Sequence, residues 1–149
     1  MDEFEAKLQL LIDIVSEKNI KLEQVLNITT NQETLLKIQD APPEISTLIT
    51  EMSAEKQKII EAVIEGDEVF NNIFGSLEDF EENAPRYKET VRRLQAVVKI
   101  AADMDVNIRI AEEKNKGIIA SKRTERPAVI RGGKQDLLNK YKKSYKKEE

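Results

Sequence analysis

Cysteine, histidine and tryptophan are absent from the chain. Without Cys there is no disulfide framework and no thiolate zinc site. Without His the commonest general base and metal ligand are missing, and so is the Glu-x-x-His pattern of di-iron bundles. Aromatic residues make up only 5% against 35% charged residues. That balance is lean for a compact globule and typical of long helices with narrow apolar seams. No run of about 18 apolar residues occurs, so no membrane span is expected. The opening "MDEFEAK" is acidic and lacks an apolar signal core, which points to a cytoplasmic protein. The carboxylate pairs Glu81-Glu82 and Glu112-Glu113 read as solvated helix faces, because acid/base work needs a pocket that perturbs their pKa. "RGGK" at 131–134 has no strand before it, as a phosphate loop requires. No catalytic residue, metal ligand or cofactor is expected, and the chain reads as something other than an enzyme.

What is present is charge and helical period. The 149 residues suggest one domain and carry a net charge of −4. Residues 121–149 hold ten Lys/Arg and four Asp/Glu, a net of +6, and residues 1–120 a net of −10. An acidic body of residues 1–120 therefore precedes a basic tail of residues 121–149. Asp2, with Glu5 three residues on, resembles a capping box that starts the first helix. A 4-3 stripe follows in Phe4, Leu8, Leu11, Val15, Leu22, Val25 and Leu36, with Lys18, Thr29 and Gln32 as polar members. "DAPPE" at 40–44 ends that helix, and Pro43 suits the first turn of a second. The second stripe is Ile45, Ile49, Met52, Ile59, Val63, Phe70 and Ile73, interrupted by Lys56 and by Gly66, where a bend is expected. "FGSLED" reads as a stop at Gly75 and a new cap pair, Ser76 with Asp79, for a short turn of helix to about Glu82. Pro85 opens a third long helix that carries Tyr87, Val91, Leu94, Val98, Ala101, Met104, Ile108, Ala111 and Ile118 and fades near Ala120. The expected fold is all-α: three long helices in an elongated, antiparallel, coiled-coil-like bundle with a flexible basic tail.

The stretch "MDVNIRIAEEKNKGII" at 104–119 has apolar residues on more than one side. Met104, Ile108, Ala111 and Ile118 continue the seam, with Asn115 set into it. Ala102, Val106, Ile110 and Gly117 fall nearly opposite, two β-branched residues flanked by two small ones. Leaving Val and Ile in water forgoes about 1.5–3 kcal/mol each, which binding could recover. Two readings stay open: a groove for a client helix, or burial of the second strip by the other two helices or by a second copy of the chain. Asn115 reads either as an exposed seam end or as an amide held out to a partner's backbone. In the tail, "NKYKKSYKK" interleaves Tyr141 and Tyr145 with Lys140, Lys142, Lys143, Lys146 and Lys147. That is a pattern for single-stranded nucleic acid or an anionic surface, ranked below protein binding because the body is acidic.

The length, the three-helix plan and the segment "VNIRIAEEKNKGII" resemble the flagellar type III export chaperones of the FlgN and FliT type. The opening "FEAKLQLLIDIVSEKNIKLEQVLNITTNQETLL" is similar to that family's long first helix. The resemblance covers about residues 3–120 and leaves out the tail. It implies a cytoplasmic chaperone that keeps export substrates unassembled. FlgN-like members bind the C-terminal helical segment of hook–filament junction proteins, and FliT-like members bind the filament cap protein. The export apparatus is a further partner of that reading. Ala102, Val106, Ile110, Asn115, Ile118 and Ile119 would form the client surface, with the Asn and aliphatic pair ending the stripe. A homodimeric coiled-coil adaptor is the alternative.

Overall fold

The computed structural model describes residues 2–125. The all-α expectation holds for them: three long helices form an elongated bundle. Helix α1 runs Glu3–Leu36, 34 residues, or about 51 Å at the α-helical rise. Helix α2 runs Pro43–Gly75, a four-residue α3 runs Phe80–Asn83, a 3-10 turn covers Ala84–Tyr87, and α4 runs Lys88–Glu125. Among the described residues no helix is long and apolar enough to cross a membrane.

Helix α1 starts where the capping residue predicts: the Asp2 carboxylate accepts the Glu5 N–H at 2.8 Å. Helix α2 begins at Pro43, whose missing N–H costs nothing in a first turn. It runs unbroken through Gly66. The restart after Gly75 differs from expectation. Ser76 ends α2 instead of opening the next helix, its hydroxyl donating to the Ile73 carbonyl at 2.7 Å. Asp79 caps α3 without a side-chain hydrogen bond, from a left-handed backbone conformation. Asp is among the few residues that tolerate it. Helix α4 starts at Lys88, after the 3-10 turn that holds Pro85, and continues past Ala120 to Glu125. The basic tail, expected to be flexible, begins inside α4 and lies outside the described residues beyond residue 125.

Successive long helices are antiparallel, so α1 and α4 run parallel. Helix α1 is central: α4 and, less extensively, α2 pack along it, while the backbones of α2 and α4 scarcely approach each other and meet through side chains. The α1 stripe matches what is buried, from Leu8 through Leu11, Val15, Leu22 and Val25 to Thr29 and Gln32, with Ile12 added. On α4 the expected seam is displaced by one residue at one turn. Val98 is exposed and Val97 packs into the core instead. The core is lopsided. Phe4, Phe70, Phe74, Phe80 and Tyr87 gather at one end, with ring centroids 5.4–6.0 Å apart. Leu8, Leu11, Ile12 and Leu94 fill the space beneath them. The Tyr87 hydroxyl also donates to the Asp2 carboxylate, which ties the 3-10 turn before α4 to the cap of α1.

Candidate interaction surface

Helix α4 has a buried and an unburied apolar side. Ala101, Met104 and Ile108 pack into the core with Val15, Leu22 and Val63. On the other side Val106 is 52% and Ile110 61% exposed, and Ile110 is the most exposed large apolar residue among those described. Ala102 and Gly117 are also exposed, and a Cβ built on Gly117 would meet nothing within 4 Å. The two flanking helices therefore do not straddle α4, because α1 occupies the centre and leaves α4 one open side.

A groove of about 360 Å³ opens between α2 and α4 with α1 as its floor. Val98, Ala102 and Asp105 form one wall, Asp67, Phe70 and Asn71 the other, and Ile14, Val15 and Lys18 the floor. Lys18 pairs with Asp67 at 2.9 Å across it. Val98, Ala102, Val106 and Ile110 stand four residues apart, and each step of four advances about 40° around a helix. The strip thus winds from the groove wall on to the outer face of α4.

The other sequence candidates are placed differently. Asn115 is only 5% exposed, and its amide donates to the Thr29 carbonyl of α1 at 3.0 Å. It is neither an exposed seam end nor held out to a partner, because parallel packing of α1 and α4 turns this position inward. Ile118 and Ile119 are half-buried. Ile119 lines a separate groove of about 880 Å³ beside the α1–α2 turn, with Leu35, Leu36, Ile38, Ile45 and Ile49. The strip and the Asn115–Ile119 group therefore do not form one continuous surface.

Asn115 belongs to a buried polar layer. Lys56 is only 8% exposed as a residue, and its ammonium donates to Glu112 Oε1 at 2.5 Å, Gln32 Oε1 at 2.7 Å and Thr29 Oγ1 at 3.3 Å. All three of its donors are used. Gln32 in turn donates to the Ile49 carbonyl and to Ser53 Oγ. The Thr29 hydroxyl bonds the Val25 carbonyl at 2.8 Å, one turn back on its own helix. The Asn115 side-chain oxygen is buried without a partner. Nearby, Glu33 takes both Lys114 and Lys37 at 2.9 Å. The Lys114 hydrogen bond, then that of Lys37, holds its carboxyl below the usual glutamate value. Sequence reasoning registered Thr29, Gln32 and Lys56 only as flaws in apolar stripes. The signal that they belong together is that the flaws fall at matching heights once the helices alternate in direction.

Among the described residues no group of three or more Asp or Glu side chains could hold a metal ion. The fold and its open strip define a three-helix bundle with a candidate helix-docking face. Compared with protein-family models, curated proteins and solved structures, the chain matches none.

Proposed function

We propose that the protein is a non-catalytic coiled-coil adaptor that pairs through the α4 strip with a second copy of itself. The observation that carries this reading is the exposure of Val106 and Ile110 on a helix whose opposite side is already packed. Ala102 and Gly117 at the two ends of the strip leave room for another helix to come close. In a symmetric dimer the strip meets its own copy, so each residue counts twice. Burying an Ile side chain is worth about 1.5–3 kcal/mol, so Ile110→Asp weakens association by at least about tenfold. Sedimentation equilibrium reads this directly: a dimer for the native chain, a monomer for Ile110→Asp, and the same far-UV circular dichroism for both. Loss of helix content in the variant would make Ile110 a folding residue and overturn the assignment, as would a native monomer.

A second reading has its own support. The segment "VNIRIAEEKNKGII", on which the chain resembles the FlgN and FliT type of export chaperone, is the same part of α4 that carries Val106 and Ile110. On that reading the strip receives an amphipathic helix of a flagellar client in the cytoplasm, the C-terminal segment of a hook–filament junction protein or the filament cap protein. A tagged pull-down from the source organism separates the two. Junction or cap proteins lost on Ile110→Asp favour the chaperone, and recovery of this chain alone favours the adaptor.

A further inference from the structure

We infer that the bundle is built in two parts of unequal stability, and that the part held by the Lys56 polar layer opens as a unit while the aromatic end stays folded. This stands apart from the question of what binds the α4 strip. Among the described residues every buried apolar side chain lies at or before Val25 on α1, at or after Val63 on α2, and at or before Ala101 on α4. Every buried polar side chain, Thr29, Gln32, Lys56 and Asn115, lies beyond those limits. The boundary crosses all three helices at one height. On the far side, the aliphatic residues around the layer are only half-buried.

Burial of apolar surface is the main stabilising term of a fold, and a buried hydrogen-bonded charge roughly offsets its own desolvation. The polar half therefore gains little from its centre, and the unpaired Asn115 oxygen lowers that gain further. At this end the turn between Leu36 and Pro43 joins α1 to α2, while α4 is held to them outside the layer by the Lys114–Glu33 and Lys122–Ile38 contacts, so α4 can part from that pair without disturbing the aromatic cluster. What such a layer does supply is register: Lys56 finds three acceptors only when α1, α2 and α4 are correctly aligned. The result is a jaw that closes in one alignment and reopens at low cost. Opening it widens the aliphatic groove formed by Leu35, Leu36, Ile45, Ile49 and Ile119.

Amide hydrogen exchange on the full chain tests this. Residues 29–32, 53–56 and 112–115 should exchange at least about tenfold faster than 11–15, 63–70 and 94–101. Fraying cannot mimic the result on α2 and α4, because 53–56 and 112–115 lie no nearer a helix end than 63–70 and 94–101 do. In the triple variant Gln32→Leu/Lys56→Met/Glu112→Ala the charged pair and the amide beside it are replaced together, so no charge is stranded, and exchange in the first set should slow by about tenfold with the second set unchanged. Equal protection in both sets of the native chain would overturn the inference. So would a triple variant that folds and slows both sets alike.

Discussion

Glu112→Ala isolates the physics of the buried layer. The substitution removes the one carboxylate that faces the Lys56 ammonium, 2.5 Å away. Breaking a fully buried pair from one side costs about 3–5 kcal/mol, because the remaining charge is left uncompensated. Here the Lys56 side chain is 11% exposed and that of Glu112 35%, so water reaches the pair from the α4 side and the cost falls to about 2–3 kcal/mol. Gln32 and Thr29 still accept from Lys56, which sets the lower end of that range. Adding Lys56→Met to Glu112→Ala removes the stranded charge and fills the site with an unbranched apolar side chain. The double variant should then be more stable than Glu112→Ala alone by at least about 1 kcal/mol, whereas Lys56→Met alone, which strands Glu112, should destabilise the native chain, a sign reversal that simple additivity forbids. Urea unfolding followed by far-UV circular dichroism measures these free energies, and the lack of Trp makes the helix signal the natural probe. If Glu112→Ala falls within about 0.5 kcal/mol of the native chain, in the range of surface pairs, the layer is effectively solvated and the argument fails.

Gly66→Ala should stabilise the protein by about 0.5–1 kcal/mol, since Ala is the better helix former and its Cβ meets nothing within 4 Å. A thermal melt checks it, and an unchanged or lower Tm would mean that the glycine serves a bend in α2 in solution. The Glu33 carboxyl, held below its ordinary value by Lys114 and Lys37, contributes stability that is full above the unfolded pKa of about 4.3 and is lost as pH falls through the folded value. Between neutral pH and about pH 3, urea titrations should show the native chain losing more stability than Glu33→Gln. Equal losses would show that the two lysines exert no net pull.

Much of the fold was legible in local pattern. The 4-3 repeat from Leu8 to Gln32 is a property of one helix face, and a face that is apolar every third and fourth residue must be covered whatever covers it. Asp2 and Pro43 are local stop and start signals that need no partner. Where the expectation slipped, a neighbour chose between residues that periodicity treats alike. Val97 and Val98 are adjacent and equally apolar, and only the position of α1 against α4 sends Val97 inward. The Ser76–Asp79 pair looked like a cap because the spacing allows one, yet Ser76 was already engaged in closing α2.

The candidate site shows the same division. The amino-acid sequence by itself determined that Val106 and Ile110 lie on a different side of α4 from Met104 and Ile108, because the angle between residues on a helix follows from its pitch alone. It could not determine whether that second side is covered. That depends on which of three helices stands in the middle, a choice made by the total packing of all the seams together. Tertiary structure placed α1 there, left Val106 and Ile110 open, and drew Thr29, Gln32, Lys56, Glu112 and Asn115 into one layer. Those five come from three helices up to 86 positions apart, and only a shared height in the bundle makes them neighbours.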